Sequence, residues 1–207
     1  GRQGFQKHFV VFRPHNYLDI GQFIDNSRDP IIPEIVGYNG HDGHNAFYLY
    51  GGLFRTVSMT GLLFTGIFAP VRVTHINYTF DELQRTVKRY ISSYPDISNL
   101  KQQWDSIRLA APDRLYFAKQ ALALRWPQGT TINPEQLLVP RRPQDMGTTL
   151  WKVFTTVQEN VFVGGIRGKN RKGRKMTTRK LERVDAYIKL NRDLWTLAET
   201  VASKAAA

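Results

Sequence analysis

The sequence predicts an α+β protein, with an antiparallel sheet from the N-terminal third and a helical remainder packed on it. Three observations carry this expectation. Short runs rich in β-branched and aromatic residues, divided by tight turns, fill the first third, and no helix-length crossover separates them. From Thr79 onward, apolar residues recur at helical spacing. A hydrophobic fraction of 42%, with 12 Phe, 9 Tyr and 4 Trp in 207 residues, is enough for one sizeable core. The expected organisation is one domain over 1–203, strand-rich over 1–78 and helical over 79–203, with 204–207 as a tail.

The strands come first. Phe5 to Arg13 alternates β-formers up to the break at Pro14. Ile31 to Tyr38 is a second run, in which Pro33 favours an edge or a strand start. Asn39-Gly40 and Asp42-Gly43 are turn dipeptides. Ala46 to Tyr50, Leu53 to Met59, Leu62 to Phe68 and Val71 to His75 complete the extended region.

The helices follow. Thr79 and Glu82 form a capping box, and Leu83, Val87, Tyr90, Ile91 and Tyr94 make an apolar stripe up to Pro95, which breaks or kinks the helix. Ile97, Leu100, Trp104 and Ile107 continue that spacing. Pro112 starts a second helix that ends at Trp126, and Asn133-Pro134-Glu135 starts a short turn. Thr148 caps a helix with Leu150, Trp151, Phe154, Val157 and Val161 on one side, ended by Gly164-Gly165. Leu181, Val184, Ile188, Leu194, Trp195 and Ala198 mark a long final helix.

Between those last two helices lies the most unusual stretch of the chain. Residues 167–180 hold eight basic side chains and no acid: Arg167, Lys169, Arg171, Lys172, Arg174, Lys175, Arg179 and Lys180. Without them, the net charge of +12 falls to +4. A like-charge block repels itself, so it is either a solvated segment or a docking surface for a polyanion. Two flanking helices would hold it at a fixed place on the surface. Arg141 and Arg142, with Arg125, extend the positive track.

With no Cys in the chain, disulfides, thiolate metal sites and Cys nucleophiles are excluded, and a reducing cytoplasm is compatible. No apolar run reaches the roughly 20 residues that span a bilayer. No signal peptide is visible before Phe5, and with no initiator Met the chain reads as a fragment.

Several runs together resemble one family. They include Ile32-Pro33-Glu34-Ile35-Val36, Gly52-Leu53-Phe54-Arg55, Asn133-Pro134-Glu135-Gln136-Leu137-Leu138, Pro140-Arg141-Arg142, Gln158-Glu159-Asn160, Gly164-Gly165-Ile166-Arg167-Gly168 and Leu190-Asn191-Arg192-Asp193-Leu194-Trp195. These are similar to domain of unknown function 932, the phage- and plasmid-borne family typified by the YfjQ and YubP proteins. The resemblance implies a setting in the DNA metabolism of mobile elements, and a start of this chain inside the family's domain. It implies no activity and no catalytic residue.

Other constellations are weaker. His41, Asp42 and His44, with His8 or His75, suit a divalent-metal site, but an Asp-Gly turn needs the same residues for backbone reasons. Tyr38, Phe47, Tyr48 and Tyr50 are candidates for stacking bases, or ordinary core residues of strands. Gln158-Glu159-Asn160 reads as the polar face of a helix end. Gly168-Lys169 lacks the preceding strand and following Ser or Thr of a nucleotide-binding loop, which argues against an ATPase.

The expected function is non-specific nucleic-acid binding, with single-stranded DNA as partner, in recombination or protection of a mobile element in the bacterial cytoplasm. Single-strand-annealing proteins of similar build form rings, so a homo-oligomer is expected by analogy. No cofactor and no membrane partner are expected. The alternatives are a metal-dependent nuclease centred on His41, Asp42 and His44, and a non-enzymatic protein that binds a host defence protein.

Overall fold

The computed structural model describes residues 7–12, 31–40, 47–55, 60–63, 71–73, 80–126 and 130–205. In chain order these form β1 (Lys7–Phe12), β2 (Ile31–Gly40), β3 (Phe47–Arg55), β4 (Thr60–Leu63), β5 (Val71–Val73), α1 (Phe80–Ser106) and α2 (Ala111–Arg125). Two 3₁₀ turns follow at Pro134–Leu138 and Pro143–Asp145, then α3 (Leu150–Val163), β6 (Arg167–Lys169), β7 (Lys175–Thr177) and α4 (Val184–Ala205). The class is α+β with antiparallel strands. Two compact units divide the chain, Gly1–Ser98 and Asn99–Ala207, so the division falls inside α1 and not at its start.

In the first unit, β1 to β4 lie in sequence order and β5 also pairs with β3. β2 and β3 run antiparallel from Ile31↔Arg55 to Tyr38↔Tyr48. Successive strand residues point to opposite faces, and Glu34, Ile35 and Val36 are all at most 8% exposed, so the sheet is covered on both sides there. The fully buried Tyr90 of α1 donates its hydroxyl to the Leu49 carbonyl at 2.9 Å. Ile91, assigned by spacing to the apolar stripe, is instead exposed. Pro95 sits within α1 without ending it; the bond it removes is to the Ile91 carbonyl, beside that exposed side chain.

In the second unit α3 is the central element. Buried residues surround it on every side, which is the burial expected of an interior helix. Its Trp151 and Phe154 join Trp104 and Trp195 in one cluster, with ring centroids 4.6 Å apart for Trp104–Trp195 and 5.5 Å apart, edge to face, for Trp104–Phe154. Such pairs add roughly 0.5–1.5 kcal/mol each beyond area burial. The N-cap of α3 is Thr149, one residue later than expected, and its hydroxyl accepts from the Lys152 N–H at 3.3 Å. The final helix also starts later, at Val184, and the preceding Leu181 donates its N–H to the Phe162 carbonyl at 2.8 Å.

The polar run on α3 departs most from expectation. Gln158, Glu159 and Asn160 are 0–2% exposed. Asn160 Nδ2 donates to the carbonyls of Leu137 and Val139, both at 2.9 Å, while its Oδ1 accepts from Arg141 Nε at 2.7 Å. Glu159 receives both terminal nitrogens of Arg142, at 2.6 and 2.8 Å. Gln158 Nε2 donates to Asn191 Oδ1 on α4 at 3.3 Å. These side chains fix the 137–145 segment and α4 around α3, because a buried polar group left without partners costs about 1–3 kcal/mol.

Candidate functional site

The basic stretch folds as a β-ribbon, not as a loop. Gly164 and Gly165 turn the chain out of α3 with φ of 74° and 81°. A Cβ on Gly164 would lie 2.7 Å from the Arg179 carbonyl carbon, so the ribbon's two ends pass too closely for any larger residue. Gly165 N–H donates to the Thr178 carbonyl at 2.9 Å, and the buried Thr178 hydroxyl accepts from Ile166 N–H at 3.0 Å. β6 and β7 then pair as Arg167↔Thr177, Gly168↔Met176 and Lys169↔Lys175.

The turn is written in Asn170-Arg171-Lys172-Gly173. Asn170 Oδ1 accepts from the N–H groups of Lys172 and Arg174, at 2.9 and 3.1 Å. Gly173 donates its N–H to the Asn170 carbonyl at 2.8 Å and holds φ 72°. This is the arrangement in which an asparagine side chain mimics a backbone turn and glycine takes the left-handed position.

A second segment braces β6 from its other edge. Thr131 and Lys169 exchange both backbone hydrogen bonds at 2.9 Å. Gln136 continues the pattern with its side chain, donating Nε2–H to the Arg167 carbonyl at 2.9 Å and accepting from Arg167 N–H at 3.3 Å. The Asn133 side chain caps the 3₁₀ turn that carries Gln136, accepting from Glu135 N–H at 3.0 Å. The Asn-Pro-Glu-Gln run is thus the mount of the ribbon.

This bracing decides where the charges point. Because the backbone groups of Arg167 and Lys169 face Gln136 and Thr131, they point away from β7. Lys169 and Lys175 are therefore a non-hydrogen-bonded pair, the kind whose Cα atoms approach to about 4.5 Å and whose side chains are closest. Arg167, Lys169, Lys175 and Thr177 are exposed on one face, and Gly168 and Met176 are half-buried on the other. A Cβ on Gly168 would meet Ile132 Cγ1 and the Thr131 oxygen at 2.7 Å. Like charges directly opposite each other in a sheet are destabilising. The ion pairs Lys101–Asp105, Arg142–Asp145, Arg142–Glu159 and Lys189–Asp193 all lie outside the ribbon, and among the described residues no ribbon side chain is in one. An open groove of about 780 Å³ lies between the ribbon's Arg167, Lys169 and Lys175 and the bracing Thr131, Asn133 and Gln136.

The structure sorts the other candidates. Arg171, Lys172 and Arg174 sit exposed at the ribbon tip, and Arg179 and Lys180 are exposed just past its base. Arg142 is committed elsewhere: its guanidinium is forked onto the buried Glu159 and lies 3.6 Å from Asp145. Arg141 bonds Asn160 and the Gly164 carbonyl at the end of α3, so it too holds the fold. Arg125 donates Nε–H to the Val161 carbonyl at 3.4 Å and lies over the Trp126 ring, and burial lowers its pKa from the ordinary arginine value. Tyr48 and Tyr50 stack on each other with centroids 6.3 Å apart, and Tyr50 is buried in the first unit. The side chains of Tyr38 and Phe47, and residues His41, Asp42 and His44 with His75, lie outside the described residues. Among the described residues no group of three or more His, Asp or Glu is placed to hold a metal ion, and no helix is long and apolar enough to cross a membrane.

Reading the sequence missed the ribbon and its mount. The available signal was Asn170 with Gly173 inside a polar run, a hairpin turn without hydrophobic flanks.

Comparison with known proteins agrees with the resemblance seen in the motifs. The family described as "Domain of unknown function (DUF932)" matches residues 1–195. UPF0380 protein YafZ of Escherichia coli K12 is 31% identical over 202 residues, 97% of this chain and 71% of that protein. UPF0380 protein YfjQ of the same organism is 33% identical over 171 residues, 82% of this chain, which spans 63% of that relative. No solved structure matches the chain. With its whole ribbon and mount inside the matched region, the chain belongs to the DUF932 family.

Proposed function

We propose that this protein binds nucleic acid without sequence specificity by contacting the phosphate backbone with its β-ribbon, in the recombination or protection of a mobile element. One observation carries the proposal. Lys169 and Lys175 are held side by side on a braced ribbon, in the closest kind of cross-strand pair, and among the described residues neither is in an ion pair. A fold that needed only a connector between α3 and α4 gains nothing from that repulsion. A phosphate chain relieves it, and releases counter-ions as it binds. Lysines at an exposed strand edge also guard against edge-to-edge aggregation, but edge protection does not call for three further cations at the tip.

The contacts are Arg167, Lys169, Arg171, Lys172, Arg174 and Lys175, with Arg179 and Lys180 beside them. Arg141 and Arg142 drop out, because their guanidinium groups are engaged within the fold. The test is fluorescence anisotropy with labelled oligonucleotides at several salt concentrations. If four to six of these cations meet phosphates of a duplex, log affinity falls with log salt at a slope of roughly −4 to −5. A variant with Lys169, Arg171, Lys172, Arg174 and Lys175 changed to Gln should lose most of that slope. Equal affinity and equal slope for the two proteins would remove the ribbon from the mechanism.

A further inference from the structure

We infer that the ribbon lies in the major groove of B-form duplex DNA, its cations on the phosphates along the groove and Arg167 reaching the base edges. This inference rests on the nucleic-acid reading above and adds the form of the partner. The binding element is two antiparallel strands, about 4.8 Å apart, with Thr131 and the Gln136 side chain along the outer edge of β6 and cationic side chains standing off one face. A major groove about 12 Å wide and 8.5 Å deep admits a two-stranded ribbon of that size. The ribbon's opposite face is taken up by the protein, since Gly168 packs on Ile132 and Thr131. The face with Arg167, Lys169, Lys175 and Thr177 is the more exposed of the two.

The chemistry of that face matches the groove. Arg and Lys supply donors for the O6 and N7 acceptors of guanine, and Thr pairs with either kind of edge or with the thymine methyl. Residues 164–180 hold no acid to repel the backbone, and Arg171, Lys172 and Arg174 at the turn extend past the paired strands. The mount matters as well, because three short strand residues on each side hold register only if their backbone is fixed from the outer edge. Thr131 and Gln136 provide that support.

The same features weigh against a single strand. Sequence-tolerant single-strand binding draws on aromatic platforms as well as charge, and residues 164–180 contain no Phe, Tyr or Trp. Duplex RNA fits less well, since its major groove is too deep and narrow for side chains to read.

The experiment compares four labelled probes of one G·C-rich sequence: the duplex, the duplex with 7-deazaguanine, the duplex with inosine for guanine, and the single strand. The first modification removes the N7 acceptor from the major groove, the second removes the amino group from the minor groove, and neither alters the phosphates. The expected result is duplex binding about tenfold tighter than single strand, about fivefold weakening by 7-deazaguanine and no change with inosine. Arg167→Gln, an exposed position that spares the fold, should make the protein indifferent to 7-deazaguanine. Equal binding of the normal and 7-deazaguanine duplexes, or a preference for the single strand, would overturn the groove placement while phosphate binding stands. Failure to bind any probe would overturn both readings.

Discussion

Replacing Lys175 with Glu should make the protein more stable and a poorer nucleic-acid binder, a combination that few other readings of the ribbon produce. Lys175 stands opposite Lys169 in a non-hydrogen-bonded pair. Two ammonium groups about 6 Å apart in water repel by roughly 0.7 kcal/mol, and a Debye length of about 10 Å at 0.1 M salt reduces this to about 0.4 kcal/mol. Reversing one charge turns that repulsion into attraction of similar size. The gain is then about 0.8 kcal/mol at most, and side-chain entropy lowers it for such an exposed pair. For a chain of this length, that is a rise in melting temperature of about 2 °C. Melting by circular dichroism at 50 mM and 1 M salt checks it: the rise should appear at low salt and nearly vanish at high salt. In anisotropy titrations, the same variant should lose at least one unit of salt slope on duplex DNA. A lower melting temperature at low salt would mean that the two lysines are not opposed as drawn. Unchanged binding with a raised melting temperature would leave the pair real but the ribbon without this partner.

Two further predictions probe the mount and the anchor. Gly168→Ala places a methyl 2.7 Å from Ile132 and the Thr131 oxygen, and should cost about 1–3 kcal/mol by overpacking; chemical denaturation would read this as a lower midpoint with an unchanged m-value. Glu159→Gln leaves the half-buried Arg142 without its two-pronged carboxylate, and should cost about 2–4 kcal/mol. The double change Arg142→Met with Glu159→Leu should recover little of that stability, because the buried Asp145 then loses the guanidinium 3.6 Å away, and it should leave the salt slope for DNA unaltered; a flattened slope would return Arg142 to the interface.

The linear sequence was enough to place the helices and the charge. A central helix from Leu150, ended by paired glycines, follows from apolar spacing and from glycine's access to positive φ, and both operate within a few residues. The concentration of cations in 167–180 is equally local. What those cations do was decided by tertiary contacts. β6 and β7 are three residues each, too short for any alternation to stand out, and β6 exists as a braced strand only because Thr131 and Gln136, distant in sequence, supply its outer hydrogen bonds. Arg142 and Glu159, and Arg141 and Asn160, are likewise non-local pairs, 17 and 19 residues apart. As isolated residue types, Arg141 and Arg142 are indistinguishable from Arg171 and Arg174. Whether a cation faces a buried carboxylate or another cation depends on which segments the fold brings together, and that alone set Arg142 against Glu159, Arg141 against Asn160 and Lys169 opposite Lys175.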